Sequence, residues 1–255
     1  MKQFLITTAA GKRLIGKGLA VHPVLRNALA SATVVIIAGT TNGYVAEEVF
    51  AGFSAGESFP RNRFFRGITL PPSRPTTITG RLPDEKKLPG DVVFIKGVYQ
   101  EGKTIFDVVD DLKEGDLILK GANAVDPVLK RAAILIGDPK GGTILRALQA
   151  VVGRRVRLIL PVGLEKRVFE DLDTIAALMN APGSFGPRFM PVPGEIVTEI
   201  EAIHLLSGAT ATLVASGGVG GAEGSIWLAI SGTPKQMESA EKILKSVVPE
   251  PAFKL

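Results

Sequence analysis

Apolar residues fall along this chain in short unbroken runs separated by longer amphipathic ones. Thr33 to Ala38, Leu117 to Leu119, Ala132 to Ile136 and Val156 to Leu160 have the length of strands, and a polar, glycine-bearing loop follows each. Unbroken runs of this kind predict parallel strands buried on both faces. Asp91 to Gly97 predicts a further strand, and Phe4 to Thr7 a first strand or an edge segment. Between them, helical spacing is carried by Tyr44 to Phe50, Thr104 to Leu112, Ile144 to Val152 and a segment ending near Met179. A short helix from His22-Pro23 to Ser31 has proline at its first turn, where a missing N–H does no harm. Strands alternating with helices imply right-handed crossovers and an α/β fold with a Rossmann-like, doubly wound, mostly parallel sheet.

The pattern changes beyond Ala181-Pro182-Gly183. Glu195 to Leu206 predicts an amphipathic helix, Ala209 to Ala215 and Ser225 to Ile230 two alternating strands, and Pro234 to Val247 a final helix, with a strand near Phe189-Met190. These segments suggest a small carboxy-terminal α+β subdomain over 183–255, after a Rossmann-like domain over 1–182. From 53 to 90 the periodicity fails among prolines at 60, 71, 72, 75, 83 and 89, as in a long insertion or flap.

Composition narrows the chemistry. Zero cysteines exclude disulfides, thiolate metal sites and a cysteine nucleophile. His22 and His204 are too few for a histidine-rich metal site, so no metal is expected. A net charge of +5 attracts anions, yet the basic residues are scattered. Only Arg61-Asn62-Arg63-Phe64-Phe65-Arg66 has the basic and aromatic interleaving of a nucleic-acid contact, against a loop whose phenylalanines tuck inward; nucleic acid is not the expected partner. No apolar run reaches membrane-spanning length and no secretory signal is evident, which makes the cytoplasm the expected location. Self-association is left open.

Asp116 to Arg146 stands out as the predicted centre. Its loop Gly137-Asp138-Pro139-Lys140-Gly141-Gly142-Thr143 opens into a helix, and Gly39-Thr40-Thr41-Asn42-Gly43 has the same grammar. Strand, glycine-rich turn and helix form an anion-binding arrangement, because backbone N–H groups and the helix dipole face the ligand. Two such loops on one parallel sheet would face one ligand. Lys120, Lys140 and Lys166 each follow a strand and together would make an anion pocket; Lys12 and Arg13 are further possible contacts. Asp126 and Glu223 are the carboxylates singled out for catalysis, Asp126 beyond a strand end and Glu223 within Ser216 to Gly224. The structural alternatives are a capped turn at Asp126 and a flexible hairpin connection around Glu223. Asp138 and Glu165 are further acid–base candidates, with capping or pairing as the alternative.

At these residues the sequence resembles the superfamily of ribose 5-phosphate isomerases, glucosamine-phosphate deaminases and CoA transferases. Gly39 to Gly43 looks like its phosphate loop, Lys120-Gly121-Ala122-Asn123-Ala124-Val125-Asp126 like its acidic loop, and Lys140-Gly141-Gly142 like its Lys-Gly-Gly segment. Lys120 and Asn123 stand where those isomerases carry carboxylates, and Asp126 keeps its acid. The resemblance implies that Gly39, Thr40, Thr41, Asn42, Gly43, Lys120, Asn123, Lys140, Gly141, Gly142 and Thr143 hold a sugar phosphate or nucleotide, with Asp126 as base. The alternatives are an acyl-CoA transferase-like enzyme with Glu223 as nucleophile, and a non-catalytic metabolite sensor. No particular cofactor is indicated.

Overall fold

The computed structural model describes residues 1–53, 59–66, 69–71, 73 and 90–254; most of the proline-rich insertion expected over 53–90 lies outside the described residues. The architecture is mixed α/β. The strands are β1 (Lys2–Ile6), β2 (Thr33–Ile36), β3 (Val92–Ile95), β4 (Val98–Tyr99), β5 (Leu117–Leu119), β6 (Ala124–Asp126), β7 (Arg131–Ile136), β8 (Arg157–Pro161), β9 (Arg188–Val192), β10 (Glu195–Val197), β11 (Thr210–Ser216) and β12 (Ile226–Ser231). The α-helices are α1 (Thr8–Ala20), α2 (Pro23–Ser31), α3 (Thr40–Phe53), α4 (Ile105–Val108), α5 (Gly142–Arg154), α6 (Leu172–Met179), α7 (Glu199–Ser207) and α8 (Pro234–Val247).

The main sheet has six strands in the order β10-β8-β5-β2-β3-β4. Its first four are mutually parallel, while β3 and β4 run antiparallel at one side. Side chains alternate between the faces. Val35, Ile118, Leu158 and Ile196 meet α4 and α5 on one, and Val34, Leu117, Ile159 and Val197 meet α1, α2 and α3 on the other. Both faces are thereby buried, which is why these strands read as unbroken apolar runs.

Two smaller antiparallel sheets flank it, β1-β12-β11 and β6-β7-β9. The first corrects no strand but ties the chain's two ends together: β1 pairs with β12 along Lys2↔Ile230 to Ile6↔Ile226. The second is a correction. The run Ala132 to Ile136, expected as a parallel strand, is antiparallel to both β6 and β9. Its two faces enter different apolar clusters, Ala132 and Ile134 one and Ala133 another, so the alternation that distinguishes such a strand is hidden. Similarly, Glu195 to Val197, expected to begin a helix, forms β10 beside β8, and the helix starts only after the Thr198 cap.

Helix α1 was not foreseen. It carries Gly11, Gly16 and Gly18, residues that weaken an isolated helix. A Cβ on Gly16 would stand 2.9 Å from the Tyr44 carbonyl oxygen of α3, and one on Gly18 2.8 Å from Ala202 of α7. The glycines let two helices approach α1 backbone to backbone, and its apolar residues divide between the main sheet (Ile15, Leu19) and the β1-β12-β11 layer (Ala10, Leu14).

Candidate functional site

One edge of the main sheet collects most of the enclosed charge. The carboxyl ends of β2, β5, β8 and β10 lead respectively to Thr41 and Asn42, to Lys120, to Glu165 and Lys166, and to Glu199. Because β3 is antiparallel, its amino end brings Asp91 to the same edge, one strand away from Lys120. Helix α1 adds Lys12. Carboxyl ends of parallel strands are the usual place for ligands in open α/β sheets, since the helices that follow leave a crevice there.

Asp91 is fully buried and heavily used. Its carboxylate accepts from the N–H of Ala38 at 2.9 Å and of Ile105 at 2.8 Å, and from the Arg66 guanidinium at 2.6 Å. The Phe64 and Phe65 rings beside Arg66 are buried, as the inward-tucked alternative required. Arg61, at the other end of that hexapeptide, stacks 4.0 Å over the Tyr44 ring and pairs with Glu47 and Glu250. The segment is thus anchored structure that presents Arg66 inward.

Asn42 joins two strand ends, its amide donating to the carbonyls of Ile37 at 2.7 Å and Leu119 at 3.1 Å. Lys120 follows Leu119 directly. Lys120 is half-buried, and among the described residues its ammonium has neither a hydrogen bond nor an ion pair. Burial, with the Arg66 and Lys166 charges, pushes this amine down to about 8, while Asp91 opposes the shift. Lys166 donates to the Ala122 carbonyl at 3.0 Å, and burial lowers its pKa as well.

On the other side of Lys166, the Lys12 ammonium lies 3.3 Å from Glu165 Oε1. Glu199 is fully enclosed against Gly11, where a Cβ would collide with its Oε1, and accepts from the Leu164 N–H at 2.9 Å. Burial first and the Glu165 charge second push the Glu199 carboxyl up to about 8. A carboxyl raised in this way is suited to donate a proton near neutral pH. Four cations, Lys12, Arg66, Lys120 and Lys166, thus share this edge with three carboxyl groups, Asp91, Glu165 and Glu199.

Four of the seven buried side-chain atoms that lack a hydrogen-bond partner among the described residues belong to this edge or its surroundings, and the other three, on His22, Tyr44 and Arg61, do not. Thr41 Oγ1, Asn42 Oδ1, an Arg66 terminal nitrogen and Ser225 Oγ are buried without a partner among the described residues. Such atoms are uncommon in folded proteins, and a catalytic role, strain or a bound water or ion is the usual reason for one. Ser225 belongs to the root of the glycine-rich loop, whose Gly224 carbonyl accepts from Thr8 at 3.4 Å and whose Cα would place a Cβ 4.0 Å from Glu165 Cβ.

The residues expected from sequence separate into two places. Gly39, Thr40, Thr41, Asn42, Gly43 and Lys120 lie at this edge. Asn123, Asp126, Lys140, Gly141, Gly142 and Thr143 belong to the β6-β7-β9 sheet and to the turn after β7, so the two glycine loops do not share one parallel sheet. Asp126 Oδ1 accepts from the N–H groups of Val128 and Leu129, both at 2.9 Å, which closes the β6–β7 turn. Asn123 Oδ1 accepts from Leu135 N–H at 3.1 Å. Lys140 is exposed, and Asp138 places its own carboxylate beside the start of α5, accepting from Lys140 N–H at 2.7 Å. Glu223 is exposed and folded onto its loop, accepting from Gly221 N–H at 2.9 Å, and its own and neighbouring backbone N–H groups hold it below the usual carboxylate range. The sequence points to Arg66 only within the basic hexapeptide weighed for nucleic acid, and Glu199 sits unmarked inside an amphipathic pattern.

A concavity of about 330 Å³ lies away from these residues, at the opposite end of the strands, between the start of β10, α7 and β11. His22, Glu195 and His204 line it, with His22 Nε2 3.0 Å from one Glu195 oxygen and Arg157 2.9 Å from the other. Glu195 and Glu201 are paired there, His22 Nδ1 is buried without a partner among the described residues, and much of the remaining lining is apolar. Among the described residues no group of three metal-ligating side chains occurs and no helix is long and apolar enough to cross a membrane. Neither a protein-family model, nor a curated protein, nor a solved structure matches this chain. The chemistry of the site rests on its own residues.

Proposed function

We propose that this protein binds a small anionic metabolite, phosphorylated or carboxylated, at the carboxyl ends of β2, β5, β8 and β10, and acts on it by acid–base chemistry. The observation that carries this reading is the convergence of Lys12, Arg66, Lys120 and Lys166, from four separate segments, on an edge where one ammonium has no carboxylate to neutralise it. Enclosed cations of one sign raise the free energy of the empty site and favour an anion that replaces the missing charge.

In this reading the sheet works as a Rossmann-like scaffold, and Gly39 to Gly43 contributes the opening N–H groups of α3 together with Thr41 and Asn42. This is the part of the sugar-phosphate resemblance that the site supports best. The acid–base role falls to Glu199 and Glu165 in preference to Asp126, whose carboxylate is occupied in its turn. An acyl-CoA transferase role would require Glu223 to leave Gly221 and turn toward Glu165. Titration calorimetry with inorganic phosphate, ribose 5-phosphate, AMP and coenzyme A tests the proposal. Saturable binding that weakens with added salt is expected for at least one phosphate; heat signals no larger than dilution across the panel would overturn it.

A further inference from the structure

Three lysines reach the strand-end edge, and their ammonium groups are in different situations. Lys12 is engaged by Glu165 at 3.3 Å, and Lys166 by the Ala122 carbonyl at 3.0 Å. Lys120 has no partner among the described residues. It also stands on the central parallel strand, between the strand end that carries Lys166 and the one that leads to Asn42. The missing carboxylate that favours an anion at this edge also leaves Lys120 easier to deprotonate than a paired lysine. An unpartnered, half-buried amine near the Arg66 and Lys166 charges is the arrangement that makes lysine a nucleophile.

We infer that Lys120 Nζ forms a covalent imine with the carbonyl carbon of an anionic aldehyde or ketone, whose carboxylate or phosphate is held by Arg66 and Lys166. The inference rests on the anion-binding reading above and deepens it by naming the substrate class. The neutral amine donates its lone pair to the carbonyl carbon, forming a C–N bond as the C=O π pair moves to oxygen. A proton passes from nitrogen to that oxygen, giving a carbinolamine. A second proton, from solvent, converts the hydroxyl into departing water, and the nitrogen lone pair closes the C=N⁺ bond. The balance is amine plus carbonyl plus proton giving iminium plus water, with no oxidant or reductant. The iminium then draws electrons from the adjacent carbon, which is where an acid–base pair such as Glu165 and Glu199 finds its use. The depressed pKa of Lys120 agrees with this role, since at neutral pH an amine near 8 has roughly a hundredfold or more of the neutral fraction of an ordinary lysine.

The test is reductive trapping on the full chain. Protein is incubated with pyruvate or with dihydroxyacetone phosphate, reduced with cyanoborohydride, and analysed by intact mass and peptide mapping, with thermal melting recorded for the same mixtures. One adduct per chain on the peptide containing Lys120 is expected, absent in Lys120→Met, with a pH midpoint well below that of surface lysines. Adducts spread evenly over surface lysines, or none at all, in protein that the same anions still stabilise would overturn the imine and leave the anion site standing. Failure of both trapping and stabilisation, for these anions and for the phosphates tested by calorimetry, would remove the anion site as well.

Discussion

An ammonium enclosed beside a guanidinium and a second ammonium costs folding free energy, and methionine of similar shape removes that cost. Lys120→Met is therefore expected to stabilise the protein by about 1–3 kcal/mol at neutral pH, although it deletes the proposed nucleophile. The sign follows from linkage. The folded value lies below the unfolded one, so the penalty is complete below about 8 and disappears as pH rises toward the ordinary lysine value of 10.5. Denaturant melts at pH 7 and pH 10 check this, with a gain at pH 7 that shrinks at pH 10. Glu199 behaves in the reverse sense. Its folded value is raised, so its contribution is complete below the ordinary 4.5 and is lost as pH rises to about 8. Glu199→Gln keeps an acceptor for the Leu164 N–H and should melt increasingly above the parent between pH 5 and pH 8; parallel melting curves across that range would contradict the assignment. At this scale the sequence exposed Lys120, Thr41 and Asn42 because they follow obvious strands. Glu199 carries no such mark, since burial and the nearness of Glu165 depend on two elements meeting, and Asp126 and Lys140 share the same grammar although their loops belong to another sheet.

Helix α1 shows what glycine means when tertiary packing overrides propensity. Local preference argues against a helix with three glycines in thirteen residues, yet each faces a neighbour that leaves no room for a Cβ. Gly18→Ala gains about 1 kcal/mol of helix propensity but drives a methyl group into Ala202, and a net loss of about 1–3 kcal/mol is expected. A melt in which Gly18→Ala is at least as stable as the parent would show that α1 and α7 can separate without cost. The same contrast explains the strands. Leu117 to Leu119 and Val156 to Leu160 were legible because burial on both faces leaves an unbroken apolar run. Ala132 to Ile136 gives the same run from a different sheet, since its faces pack against two unlike clusters. Period alone does not report strand direction. Glu195 to Val197 was absorbed into the helix after it because three residues are too few to interrupt an amphipathic pattern.

Across the whole molecule, the edge is assembled from distant parts of the chain, and networks away from it hold those parts in place. Arg13 binds Glu47 at 2.5 Å, Glu48 at 2.9 Å and Glu250 at 2.8 Å, which joins α1, α3 and the carboxy-terminal tail, and Arg61 shares Glu47 and Glu250. This clamp fixes the segment that delivers Arg66. The pairing of β1 with β12 brings the glycine-rich loop to Thr8 and Glu165. Neither connection has a local signature, so the site as a set of residues was not legible even where its members were. A net charge of +5 favours an anionic partner, without saying where it would sit. The most direct test is the melting temperature of the parent, Lys166→Met and Lys140→Ala, each with and without the phosphate that calorimetry identifies. A ligand that binds only the native state raises it. The parent and Lys140→Ala should show equal ligand-induced rises and Lys166→Met little or none; loss of the rise in Lys140→Ala with retention in Lys166→Met would move the anion site to the turn after β7 and contradict the account.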